Sequence, residues 1–312
     1  MRRLIALLFL LAAAPHAALS QTPERRPAAP PNPPRPVMSE SVTDARLRAL
    51  FDSAREAMMG MRFDEALRLS DEGLAAAPNQ PAFWLNRSDA LYARGAATYN
   101  KFYRSADEAE RKAGLEAARR DFKDSLAAAT RGLALINEYT PPDDDAFRIS
   151  LAAMKRAALW LRAQALMVSA MRVDESYYSD AVTAFEQYTA AETDPTMLNL
   201  AHYLTGQLMI ATNDFAGAAV EFRKVLDAEP DNLDATLGEA VALIDQGHSA
   251  GDPAKLRDGF ERLRVFIEKA PEGQRLRASA AQALEYYKRP APPTEDESAK
   301  ANDRAPAKLA KR

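Results

Sequence analysis

Apolar residues recur three and four positions apart through most of this chain, the spacing that lines one face of a helix. Leu47, Leu50, Phe51 and Met58 share such a face behind a capping region at Ser41–Asp44, and Gly60 is expected to close that helix. Phe63, Ala66, Leu67, Leu69, Gly73 and Leu74 mark a second helix, stopped at Pro78-Asn79. Pro81 opens a third with Trp84, Leu85, Ser88, Leu91 and Tyr92. Gly95 reads as its turn residue, although Tyr99, Phe102 and Tyr103 carry the stripe further. Ser105–Glu108 has the form of a capping box and opens a helix running to about Glu138, with Ala118, Phe122, Ser125 and Leu126 inward. After a break at Thr140–Asp143, helical patterns cover 143–173, a stretch from Tyr178 with a late stop at Asp194-Pro195, 198–212, 214–229, 233–247, 256–270 and 273–288. No segment alternates as a strand would. Alanine is abundant while Val, Ile and Thr are sparse, which agrees with an all-α fold.

A finer pattern lies inside the helices. Phe63-Asp64-Glu65-Ala66 sets an aromatic, two polar residues and an alanine before Pro78, twelve residues on from the alanine. The next helix offers Trp84, Ser88 and Gly95. The twelve-residue interval returns from Ala218 to Pro230 and from Gly259 to Pro271, and Tyr178-Ser179-Asp180-Ala181 repeats the signature. These residues resemble the tetratricopeptide repeat, most clearly over 47–95 and 198–247 and least over 96–175. The anchors Ala66, Ala118, Ala181, Ala218 and Gly259 stand further apart than the roughly 34 residues of that family, so lengthened helices or loops are expected. Thr205 also stands where the family has leucine. The resemblance implies an α-solenoid of about four helix pairs, with 273–288 as a C-terminal capping helix of polar outer face.

The ends read differently. Met1-Arg2-Arg3, an apolar run from Leu4 to Ala14 and the small residues of Ala18-Leu19-Ser20 form a secretory leader over 1–20, cleaved near Ser20/Gln21. Residues 21–40 are a proline-rich, semi-rigid linker, 41–288 the helical domain, and 289–312 a disordered tail rich in Pro, Glu, Lys and Ala. The mature protein is thus expected to be exported, most plausibly to a bacterial periplasm. The leader is too short to span a bilayer, and the chain has no cysteine, hence no lipid-anchor cysteine, disulfide or thiolate site. No stable membrane anchor is expected. A formal net charge of −3 gives no reason to expect a nucleic-acid partner.

Catalytic and cofactor chemistry lacks its constellations. His16 belongs to the leader, and His202 and His248 have no partner at metal-ligand spacing. His202 falls at an aromatic position of the repeat and reads as a core histidine. There is no glycine-rich phosphate loop and no Ser-x-x-Lys or Gly-x-Ser-x-Gly nucleophile context. Asp143-Asp144-Asp145 lacks the spacing of a calcium loop and suits a helix N-terminus. No enzyme, cofactor or metal is expected.

Binding is the default for stacked helix pairs. By resemblance, the concave groove is lined by Phe51, Arg55, Met58 and Met59 in the first repeat and Leu85, Asn86, Asp89 and Tyr92 in the second. Tyr203, Gln207 and Ile210 follow in a later repeat, then Leu237 and Val241. Most are apolar, which suits an amphipathic helix or an extended apolar peptide. Asn86 matches a position of the carboxylate-binding members of the family, but Phe51 and Arg55 replace the Lys and Asn they use, which argues against C-terminal capture. The expected function is a non-catalytic scaffold or adaptor for envelope proteins. The long helix 106–138 packing against the same residues is an equally good account of them. Trp160, Tyr99, Phe102 and Tyr103 support an alternative, a small-molecule or glycan pocket under the long helices. A homo-oligomer through those helices stays open.

Overall fold

The computed structural model describes residues 44–139 and 145–288. The leader, linker and tail assigned from the sequence, and Asp143-Asp144 of the acidic run, lie outside the described residues. Those described form eleven α-helices and no strand. They are α1 (Ala45–Met59), α2 (Phe63–Ala76), α3 (Pro81–Phe102), α4 (Glu108–Glu138), α5 (Asp145–Arg172) and α6 (Tyr178–Thr189). Then follow α7 (Pro195–Ala211), α8 (Phe215–Ala228), α9 (Leu233–Ala250), α10 (Pro253–Lys269) and α11 (Arg275–Lys288). A 3₁₀ turn, Glu175–Tyr177, precedes α6.

Short acidic or amide side chains start most of these helices. Asp44 accepts from the backbone N–H groups of Arg46 and Leu47, Asp194 from that of Met197, Asp214 from Gly217 and Asn232 from Ala235. Such a cap contributes about 1 kcal/mol by satisfying donors the first turn leaves open. Pro81, Pro195 and Pro253 occupy first helical positions, where a missing N–H costs nothing. Hence α7 starts at Pro195 rather than Leu198, and α10 at Pro253 rather than Leu256. The cap of α4 is Asp107, which accepts from the N–H of Glu110 at 2.9 Å; Ser105 instead donates to the Glu110 carboxylate.

Gly60 closes α1 as expected, its N–H bonding the carbonyl of Glu56, although at φ −80°; the left-handed residue is the next one, Met61, at φ 54°. One glycine does not do what the sequence suggests. Gly95 ends nothing: α3 runs through it, because the Phe122 ring of α4 presses there and an added Cβ would lie 2.8 Å from it.

Each helix packs against the next in the chain, and α1 also meets α3, α3 meets α5, and α7 meets α9. Four of the turns that join them, α1–α2, α5–α6, α7–α8 and α9–α10, are alike. The N–H of Arg62 bonds the carbonyl of Ala57, Asp174 that of Ser169, Asp214 that of Met209 and Asp252 that of Gly247, each spanning five residues at 2.8–3.0 Å. Small residues let the helices approach. Ala66, Ala118, Ala181 and Ala218 are fully buried. Ser88 of α3 and Ser125 of α4 each donate to the other's backbone carbonyl at 2.9 Å. Three apolar clusters result: one over α1–α3, one joining α1 and α3–α7, and one over α7–α11. Within the last, α9 is buried without interruption from Ala235 to Ile244.

Candidate partner-binding face

Helix α3 shows which side is left over once packing is satisfied. Its side toward α2 carries Phe83, whose ring covers Gly73, with Arg87 paired to Asp71 and Arg94 to Asp64. Its side toward α4 carries Leu85 over Gly132, Ser88 against Ser125, and Tyr92, whose ring lies 6.3 Å from that of Phe122. Burial, with the charge of Asp89 behind it, holds the Tyr92 hydroxyl above its ordinary pKa. The stripe these residues leave is Asn86, Asp89, Ala93, Ala96 and Asn100, at steps of three and four. It is polar and small rather than apolar.

The apolar residues expected along the groove have turned into the core. Phe51 is 1% exposed and meets Phe83 edge-on at 6.2 Å. Leu85 is 4% exposed. Tyr203 is buried with its ring T-shaped to Phe222, and its hydroxyl accepts from Gln207 Nε2 at 2.8 Å. Ile210, Leu237 and Val241 are buried too. Each is held by a neighbouring helix: Phe51 by Phe83 of α3, Leu85 by Gly132 of α4, and Tyr203 by Phe222 of α8. Met58 is half-buried against the α1–α3 cluster. Arg55 lies over the Phe51 ring at 5.9 Å. Met59 is 70% exposed. What faces outward is therefore Arg55, Met59, Asn86, Asp89 and Gln207, all but Met59 half-buried.

Within that set Asn86 stands apart. Its Nδ2 is buried and has no hydrogen-bond partner. An amide donor left so costs about 1–3 kcal/mol, which a turn of the half-buried side chain toward a bound chain's carbonyl would recover.

No protein-family model, curated protein or solved structure matches this chain.

The four aromatics of the alternative pocket do not converge. Trp160 packs on Phe185 and Tyr188 at 5.8 and 4.9 Å, and the Phe102 ring lies on Gly114. Tyr99 and Tyr103 stack at 5.5 Å, with Arg172 over the Tyr99 ring at 4.3 Å and Arg104 over that of Tyr103 at 4.8 Å. Cations thus already lie against the stack.

Among the described residues no group of three His, Cys, Asp or Glu could hold a metal ion, and no helix is long and apolar enough to cross a membrane. His202 Nδ1 lies 2.6 Å from Glu221 of α8, which also accepts from Lys224 Nζ at 2.6 Å. Burial alone would raise the Glu221 pKa, but these two partners outweigh it and hold the carboxyl below its ordinary value.

Two charged sites escaped the sequence reading. Arg94 grips Asp121 of α4 with Nε and Nη2 at 2.9 and 2.7 Å while Nη1 holds Asp64 of α2 at 2.6 Å, which ties three helices. Glu239 of α9, 1% exposed, sits between Arg223 of α8 and Arg262 of α10. A lone acid inside the run Leu237–Ile244 was the available signal for it.

Proposed function

We propose that the chain is a tetratricopeptide-like solenoid of five helix pairs, α1/α2 to α9/α10, capped by α11, and that it is a non-catalytic adaptor. The recurring five-residue turn bond and the contacts among odd-numbered helices support that shape. Its partner is a protein segment in extended conformation, held along the odd-numbered helices by its main chain. The leader-like residues 1–20 support an envelope location.

The observation that carries the reading is the unpartnered Nδ2 of Asn86, in a stripe too polar to take an apolar helix. Arg55, Asp89 and Gln207 add polar groups of the kind that fix an extended backbone. The test is affinity capture from envelope extract by the mature chain, with Asn86→Leu and Arg55→Ala beside the wild type and Arg264→Ala as an exposed control. A partner retained by wild type and control but lost by both variants supports the reading. A partner retained by all four, or none retained by the wild type, overturns it.

A further inference from the structure

Arg87, Arg94 and Lys101 stand at seven-residue steps on α3. Each step is two helical turns and returns to within about 20° of the same line. Arg87 pairs with Asp71 at 2.8 Å and Arg94 with Asp64 at 2.6 Å, so the row faces antiparallel α2, whose two aspartates have the same spacing. Lys101 is the next position of the row and still lies inside α3, but α2 begins at Phe63 and has nothing left to set opposite it. Among the described residues no acid pairs with Lys101, whose ammonium lies 4.7 Å from the centre of the Phe102 ring. The row ends on an unmatched cation.

The same register makes a step in the surface. Asp64 sets the start of α2 level with Arg94, and α3 runs on from there to Phe102, about 12 Å further. The Phe102 ring closes on Gly114 of α4, so the projecting end is a packed pair of helices. At its foot lies the α1–α2 turn, where Met59 and Met61 are 70% and 75% exposed. Met61 is held at φ 54°, where two like turns carry Asn213 at 63° and Gly251 at 64°. An unbranched apolar side chain is disfavoured in that region, and strain kept at an exposed residue points to a use for its side chain. Lengthened segments of repeat arrays gather on one side, where partners bind.

We propose that this step is a docking site for an acidic amphipathic helix of a protein partner. Its apolar side rests on Met59 and Met61, whose unbranched, polarizable side chains adapt to irregular surfaces, and one of its carboxylates meets Lys101. The occupant is a helix because it stands where α2 would run on, and the two rungs below join helix to helix. It is acidic because the unmatched charge here is positive. Arg104, over the Tyr103 ring at 4.8 Å, also has no acid among the described residues, while Arg62 at the foot already holds Glu65 at 2.7 Å. Of the acids at the projecting end, Asp107 is taken up capping α4 and Glu110 accepts from Ser105.

The test uses the full chain with methyl-labelled methionines and two synthetic helical peptides of about 15 residues. Both carry leucines at three- and four-residue spacing, flanked by Glu in one and by Lys in the other. The acidic peptide should move the methyl resonances of Met59 and Met61, leave that of buried Met154 in place, and bind at least about tenfold more tightly than the basic one. Lys101→Glu should weaken it by at least about fivefold, whereas Arg264→Glu, the same change of charge on α10, should not. A lysine present only to favour a helix C-terminus would leave binding unmoved. Met61→Gly relaxes the turn and should still weaken the peptide. Asn86→Leu should leave it bound, so this site and the stripe along α3 stand or fall separately. A smaller preference for the acidic peptide overturns the proposal, as does a smaller effect of Lys101→Glu, wild-type binding by Met61→Gly, or binding lost with Asn86→Leu. So do methionine shifts that follow protein concentration alone, which would put a second copy on the step. Shifts with phosphatidylglycerol vesicles but not with the acidic peptide would overturn it in favour of a lipid surface.

Discussion

Remove the arginines around Glu239 one at a time, then together, and the losses should not add. Arg223 Nε donates to Glu239 Oε1 at 2.7 Å. Arg262 Nε lies 2.9 Å from Oε2 but off the hydrogen-bond direction, so that oxygen is compensated by charge rather than by an aligned bond. Both arginine side chains keep much surface in water, 50% and 34%, whereas that of Glu239 keeps 2%. Arg223→Met or Arg262→Met alone leaves the carboxylate one cation. Each should cost about 1 kcal/mol, the low end for a charge-assisted contact because solvent screens the arginine. The double variant strands a buried charge, for which about 3–5 kcal/mol is the usual cost. The pair should therefore exceed the sum of its parts by about 1–3 kcal/mol. Adding Glu239→Leu to the double variant removes the stranded charge and should restore most of the loss. Trp84 and Trp160 lie in α3 and α5 and report another part of the chain, so the assay is amide exchange at Ala240–Ile244. A double variant equal to the sum within about 0.5 kcal/mol, or a triple variant no better than the double, would refute the reasoning.

Met61→Gly should raise stability to urea by about 0.5–1 kcal/mol, because glycine carries no Cβ cost at φ 54°; a midpoint that falls or stays put counts against it. Gly73→Ala should destabilise by about 1–3 kcal/mol, since its Cβ would meet the Phe83 ring, and an unchanged midpoint would contradict the close approach of α2 and α3. Asn86→Leu should leave the free protein as stable or about 1 kcal/mol more so while partner capture is lost, a separation that a purely structural asparagine would not show. The Glu221 carboxyl is held below its ordinary pKa, so it contributes stability above the unfolded carboxylate value of about 4.3. That stability is lost as pH falls below it through the folded value, and a His202→Leu/Lys224→Met variant should show a flatter acid limb in a pH series of melts.

The helices were legible because their punctuation is local. Asp44, Asp214 and Asn232 cap through their own next few residues, and Pro81 sits at a first position whatever packs nearby. Where a boundary was misread, the deciding force came from elsewhere in the chain: Gly95 answers to Phe122 of α4, not to a turn. The direction of side chains was harder still. Phe51 and Arg55 lie only about 40° apart round their helix, as do Tyr203 and Gln207, and Leu85 and Asn86 about 100° apart, so a small rotation separates core from solvent. Rings and glycines on the neighbouring helices took the apolar member of each pair into the core. Arg94 and Asp121, 27 positions apart, find each other only after α3 and α4 have packed.

Packing of each helix against its successor also bears on how the chain comes into being. A polypeptide is made from its N-terminus onward, and the apolar cluster of α1–α3 needs no residue beyond Leu91. It can close while α9 and its buried glutamate are still to be synthesised. The middle cluster must wait for Leu208 and the last for Leu284. Contacts of such short range favour fast folding, and they let order follow the growing end, so that little apolar surface is ever exposed at once.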